Sequence, residues 1–366
     1  MPTPTAPLLA HYTASPLPAQ SLTLITSVLG ATSNWLVLRI LCDALSPGSG
    51  SGGEELGFGA GVGGGGVRGV KGRMGVVFVS FLRPWEFWRV EARRLGLDLA
   101  RLSNEGSFTF VDGVSELFLS TQTAPGPAPG SSAASSSPTP AQIPLHTTLS
   151  ARVPVSSRPP IVTSHPKSSG SGSGSRKLRW SSTRSGGLDA LEQEIASAID
   201  DLNGSTASDE RPVENDILLV VDQPDLLLAA TGPGMGVGAV EMGEFLLGLR
   251  QRVHSTVVTL AADSPLIHAG SAESMQQRPT PLEREHASLV VGTAHQARMV
   301  MQLRGLDTGV ARDVSGVLRI SKGGGWVPEI VMGEKGDRHD HAGLEEKELL
   351  YFVQGDGAVR VFGRGE

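Results

Sequence analysis

A chain of 366 residues with a single cysteine, Cys42, cannot form an internal disulfide. Such sparing use suits a reducing compartment, and cytosol and nucleus are the expected locations. Long apolar runs are also missing. The most apolar window, Leu22 to Leu45, is interrupted by Thr26, Ser27, Thr32, Ser33, Asn34 and Arg39, whereas a membrane span needs roughly 20 nearly continuous apolar residues. No membrane association is therefore expected. Residues 1–20 have neither a basic leader nor a continuous apolar stretch, so they do not read as a signal peptide. The net charge of −6 excludes a surface that is a nucleic-acid footprint throughout, while leaving room for a local basic patch.

What the chain has in excess is glycine, 47 residues, and proline, 24, gathered into a few stretches. Residues 1–20 and the tracts 46–75, 120–187 and 323–346 have little to bury, and are expected to be a disordered N-terminal segment and three disordered insertions. The remaining roughly 225 residues suit one α/β domain within 21–366. Short Val-, Ile- and Phe-rich runs read as strands buried on both faces: Leu22 to Thr26, Val76 to Phe81, Phe108 to Val111, Ile217 to Asp222 and Thr256 to Ala261. Helical patterns alternate with them at Asn34 to Leu45, Pro84 to Leu99, Leu188 to Leu202 and Ala239 to Val253. Strands follow without helices at Arg298 to Leu303, Val317 to Ser321, Leu349 to Gln354 and Ala358 to Phe362, the last two joined by a Gly-Asp-Gly turn. The expected fold is a mostly parallel sheet between helical layers, with antiparallel C-terminal strands.

The stretch ITSVLGATSNWLVLRIL, Ile25 to Leu41, has the layout of a strand, a phosphate loop and a helix. If Gly30 stands at the second glycine of G-x-x-x-x-G-K-[ST], then Ile25 replaces the first glycine, Ala31 the lysine, and Thr32 keeps the hydroxyl position. The lost lysine removes the point charge on the β- and γ-phosphates, and a degenerate or merely structural turn is the better reading. ILLVVDQPDLLL ends an apolar strand in Asp222 and Gln223, the shape of a magnesium-holding Walker B element or of a carboxylate capping the next turn. Gly59 to Gly64 spells G-x-G-x-x-G with neither a strand before it nor a helix after it. Gly234 to Ala239 stands too far beyond Asp222 for a dinucleotide fingerprint, and reads as a loop entering a helix. His339, Asp340 and His341 lie in a charged insertion and read as solvated loop, so no metal ligand and no cofactor is expected. Between Ser150 and Gly187 stand seven Lys or Arg and no acid. Arg176, Lys177, Arg179 and Trp180 are the candidate RNA contacts of that arm, with the acidic stretch Asp189 to Asp216 as a competing internal partner.

DILLVVDQPDLLLAA (Asp216 to Ala230), LRGLDTGVARDVSGVLRISKGG (Leu303 to Gly324) and KELLYFVQGDGAVRVF (Lys347 to Phe362), in that order after LITSVLGATSNWLVLRIL, closely resemble the sixth subunit of the eukaryotic Elongator complex. The resemblance implies a RecA-like three-layer α/β/α fold without regular Walker motifs. It implies assembly with the fourth and fifth Elongator subunits into a six-membered ring, two copies of each, that binds tRNA and supports wobble-uridine (U34) modification carried out by another Elongator subunit. ATP hydrolysis would belong to the assembled ring and not to this chain. Gly30, Ala31, Thr32, Asp222 and Gln223 become remnants of a nucleotide site or ring-interface candidates. Arg304, Arg312, Arg319 and Lys322, in the most specific segment, become candidate tRNA contacts. The alternative is an enzyme, a divergent RecA-like ATPase of the recombination-associated kind, working through Asp222 and an irregular phosphate loop; a scaffold recruiting partners through disordered arms is a third class.

Overall fold

A computed structural model describes residues 7–46, 74–119, 175–181, 187–206, 217–267, 279–306, 309, 311–328, 330–332, 338–340 and 344–363. The described residues belong to one unit, and most of its strands lie in one sheet. In chain order these strands are β1 (Ser21–Ser27), β2 (Gly75–Ser80), β3 (Phe108–Asp112), β4 (Arg176–Lys177), β5 (Ile217–Asp222), β6 (Ser255–Ala261), β7 (Met299–Arg304) and β8 (Gly316–Lys322). A two-stranded hairpin of β9 (Ile330–Met332) and β10 (Arg338–Asp340) stands apart, and β11 (Lys347–Val353) and β12 (Val359–Gly363) complete the main sheet. Its order is β12-β11-β8-β7-β1-β6-β5-β2-β3-β4, parallel from β7 to β4 and antiparallel from β7 out to β12. β1, β2 and β5 are buried at nearly every position because both of their faces are covered, and β2 and β5 are correspondingly apolar, whereas β1 mixes Leu and Ile with buried Ser and Thr. The turn before β12 closes through Gly357 N–H donating to Gln354 O at 3.0 Å, with Gly357 at φ +88°.

One face of the sheet carries α1 (Pro7–Thr13), α2 (Asn34–Leu45), α3 (Trp85–Arg94) and α4 (Leu99–Asn104) over a core that includes Ile25, Phe78, Trp88 and Tyr351. The other carries α5 (Gly187–Thr206), α6 (Asp225–Thr231), α7 (Ala239–Arg250) and α9 (Pro281–Gln296), with the single turn α8 (Ser264–Ile267) before α9, over Leu24, Val79, Leu219 and Val258. This is the RecA-like three-layer sandwich, with helices on both faces of a mainly parallel sheet. α2 is apolar almost all round because α1 and the sheet enclose it.

Four expectations need correction. Residues 7–20 are folded and not disordered: Leu9, Tyr12 and Leu17 are buried, Tyr12 Oη donates to Glu345 O at 2.9 Å, and Thr13 Oγ1 donates to Asp43 Oδ2 at 2.6 Å. The single helix expected from Pro84 to Leu99 is two. Gly96, at φ +78°, ends α3 with Leu97 N–H on Ala92 O and its own N–H on Arg93 O, both at 3.0 Å. Asp98 then caps α4 by accepting from Arg101 N–H at 3.2 Å. Within 120–187, Arg176 and Lys177 pair with β3, Leu178 N–H donates to Asp112 O at 2.9 Å, and the Leu178 side chain is buried. Within 323–346, Gly323, Gly324 and Gly325 lie so close to the end of α9 that a Cβ on any of them would collide with the carbonyls of residues 295–297. There Gly324 N–H donates to Ala294 O at 3.1 Å and Gly325 N–H to Ala297 O at 2.9 Å, so a glycine run that reads as linker satisfies a helix terminus. Residues 1–6 of the expected N-terminal segment, and 47–73, 120–174, 182–186, 329, 333–337 and 341–343 of the expected insertions, with His341 among them, lie outside the described residues.

Candidate functional site

The carboxyl ends of the parallel strands bring together the first group of candidates, as crevices at this edge do in open α/β sheets. After β1 the chain makes a tight turn: Ala31 N–H donates to Val28 O at 2.9 Å, and Gly30 takes φ +87°, the left-handed conformation that favours glycine. Leu29 N–H donates to the Asp263 carboxylate at 2.8 Å, and Ala262 N–H to Ser27 O at the same distance, which ties the turn to the end of β6. A phosphate cradle needs converging free N–H groups and positive potential. Here the N–H groups of Leu29 and Ala31 are spent on the chain's own acceptors, and one of those acceptors is a carboxylate. Ala31 is buried, Gly30 and Thr32 are exposed, and Leu29 projects from the turn with 93% of its surface in solvent.

Asp222 closes the end of β5. It is 1% exposed, accepts from Ser80 Oγ and from Thr259 Oγ1, each at 2.8 Å, and so bridges its two neighbouring strands. Burial pushes its carboxyl up to about 6, against the opposing pull of the Thr259 and Ser80 hydroxyls and of Arg83. Ser80 Oγ also accepts from Arg83 N–H at 3.1 Å and Trp88 Nε1–H at 3.3 Å, so the carboxylate belongs to a closed hydrogen-bonded cluster. Gln223 follows at φ +54°, held there by its N–H donating to Thr259 O at 3.1 Å and Oγ1 at 3.0 Å. This left-handed glutamine is a residue whose backbone the sequence did not flag. Two further residues that sequence reasoning passed over lie next to it. Asp225 Oδ2 accepts from Ala261 N–H at 3.2 Å and lies 3.2 Å from His286 Nε2, both side chains being buried, which pins α6 to α9. Asp225 stands in the quoted DQPD motif, whereas nothing near His286 in the sequence points to it.

The cationic candidates do not form one patch. Arg176 pairs with Asp201 on α5; Lys177 Nζ reaches Glu116 Oε1 at 2.7 Å and Arg179 reaches Glu116 Oε2 at 2.5 Å. The hydrogen bonds from these two bases hold the Glu116 carboxyl below its usual range. Trp180 packs on Phe118 with centroids 6.1 Å apart and sits over the backbone of Gly187, where a Cβ would collide with it. The expected free arm is thus, at these residues, a docked edge segment whose three cations are partly neutralised by two carboxylates. On the antiparallel extension, Arg304 is half-buried and 3.3 Å from Glu348, while Arg319 is exposed in register between Gln302 and Glu348. Lys322 is exposed and lies 4.0 Å over the Trp326 ring; Arg312 is exposed in the preceding loop. Among the described residues no group of three His, Cys, Asp or Glu side chains is placed to hold a metal ion, and no helix is long and apolar enough to cross a membrane.

Together these features define an α/β protein of RecA-like architecture in which the edge that would hold a nucleotide is occupied by the chain's own hydrogen bonds. Compared with known proteins, the chain matches no family model and no curated protein.

Proposed function

We propose that this chain is a non-catalytic, RecA-like ring subunit: the counterpart of the sixth Elongator subunit, assembling in cytosol and nucleus with the fourth and fifth into a hetero-hexamer that binds tRNA and supports wobble-uridine modification. The observation that carries the non-catalytic part is the consumed carboxyl edge. Leu29 and Ala31 spend their N–H groups internally, no lysine stands at the loop, and the two carboxylate oxygens of Asp222 accept from Ser80 and Thr259. The sequence resemblance across Asp216 to Ala230, Leu303 to Gly324 and Lys347 to Phe362 supports the choice of complex. Arg312 in the loop before β8, and Arg319 and Lys322 on β8, are each exposed and are the folded-core candidates for phosphate contact.

Native mass spectrometry of the chain co-expressed with the fourth and fifth Elongator subunits of the same source tests the reading. A closed assembly with two copies of each is the expected result. A chain that stays alone or forms only homo-oligomers overturns it. ATP turnover by the purified chain alone, lost in Asp222→Ala, would instead make the protein a divergent ATPase.

A further inference from the structure

The outer face of the helical layer α5, α7 and α9 combines an apolar groove with a concentration of negative charge. α7 and α9 enclose a groove of about 260 Å³ whose lining includes Val240, Gly243, Leu247, Leu289 and Gly292. Its floor is low, because Gly243 and Gly292 have nothing within 4 Å of a Cβ position. On the α7 side its rim is apolar and exposed, Val240 being 68% and Leu247 44% open to solvent, while α9 contributes the polar Ser288 and Gln296. Beside it, a second groove of about 470 Å³ along α5 is lined by Asp189, Glu192 and Asp200, with Arg252 at its margin. α5 carries five acidic residues and no base; α7 adds Glu241 and Glu244, and α9 adds Glu283 and Glu285, against Arg250 and Arg284.

We propose that this layer is a docking surface for a basic amphipathic α-helix of a partner protein. Apolar side chains at i, i+4 and i+7 of that helix enter the groove between α7 and α9, where the two glycines let it approach at the separation of packed helices. Lysines or arginines on its flanks meet the carboxylates of α5 and α7. A second copy of this chain is a poor occupant, because it would bring the same acidic face against this one. The proposal rests on neither the ring nor tRNA.

The test uses the full chain and a fluorescent synthetic 18-residue peptide with leucine at i, i+3, i+4 and i+7 repeats and lysine elsewhere. Two comparison peptides carry glutamate in place of lysine, or the same residues scrambled. By fluorescence anisotropy the leucine-lysine helix should bind, more weakly as salt rises, and the other two should not. Leu247→Lys should lower the affinity at least about tenfold, and Gly243→Leu should do the same. The latter variant fills open space on a helix and removes a helix-weakening glycine, so it keeps the fold. Val353→Lys, on the far antiparallel strands, should change the affinity less than about twofold. Equal binding of the scrambled peptide, or affinity unchanged in both groove variants, overturns the proposal. So does a concentration-dependent dimer by light scattering that Leu247→Lys dissolves, which would give the groove to a second copy.

Discussion

At the scale of single residues, Asp222 shows how a carboxylate at a strand end can be structural. Its pKa rises from the ordinary 3.8 to about 6 because burial outweighs the two hydroxyl donors. Below about pH 4 it is protonated in folded and unfolded chains alike; between about pH 4 and 6 the folded chain holds more of the proton; above about 6 the folded chain carries the full cost of a buried charge. Stability from this group therefore falls as pH rises through that window, by roughly 2 to 3 kcal/mol at most. Asp222→Asn keeps an acceptor and a donor for Ser80 and Thr259 but cannot ionise. Urea unfolding should show its stability relative to wild type improving by about 1 to 2 kcal/mol between about pH 4.5 and 7.5. A difference that does not vary with pH would contradict the assignment. Cys42 makes a second case. Burial pushes its thiol up to about 11, so a thiol reagent at neutral pH should label it only in denaturant, and fast labelling of the folded chain would show that α2 opens.

At the scale of elements, the segment that differs most from its sequence expectation is β4. Its composition reads as a cationic linker, yet Leu178 is 1% exposed and donates its N–H to Asp112 O at 2.9 Å. Leu178→Ala should cost about 2 to 4 kcal/mol by thermal or urea unfolding; a cost under about 0.5 kcal/mol would return the segment to a loose arm. The helix α9 was missed altogether, although Thr280, Pro281 and Glu283 spell a capping box: Thr280 Oγ1 accepts from Glu283 N–H at 3.3 Å and Glu283 Oε2 from Thr280 N–H at 2.7 Å. Thr280→Ala should lower stability by about 1 kcal/mol, with early loss of protection in α9 by hydrogen exchange. These examples mark what was legible. The buried parallel strands and α2 announce themselves by continuous apolar runs, and β11 and β12 by their turn glycines. What stayed hidden depends on tertiary partners: one leucine in a polar tract, a glycine run under a helix end, a proline-rich start whose Leu9 and Tyr12 find a core. The candidate site was legible as a location, since Gly30 and Asp222 stand at the same carboxyl edge of the sheet, on either side of β6. It was not legible as chemistry, because the groups that occupy its donors and acceptors, Asp263, Ser80 and Thr259, come from other strand ends.

At the scale of the whole molecule, the carboxyl edge is tied by the chain's own hydrogen bonds, and its tip is apolar. The Asp263 carboxylate and the Val28 carbonyl fix the turn, and the fixed turn holds Leu29 out in solvent at 93% exposure, with Leu82 also exposed at the end of β2. A side chain so exposed adds almost nothing to the stability of this chain, so its effect, if any, belongs to assembly. In the proposed ring a neighbouring subunit lies over this edge, and a preformed turn presents Leu29 to it without an ordering cost. Leu29→Glu should therefore leave the unfolding midpoint of the isolated chain within about 0.5 kcal/mol of wild type. The same change should reduce recovery of the closed assembly with the fourth and fifth subunits at least about tenfold, because it would bury an unpaired charge at a protein interface. Native mass spectrometry of the co-expressed subunits reads the assembly, and urea unfolding of the chain alone reads the fold. Intact rings carrying Leu29→Glu would move the subunit contact away from the carboxyl edge while leaving the ring itself standing. Loss of both fold and ring would show instead that Leu29 is held by the chain's own core, contrary to its exposure.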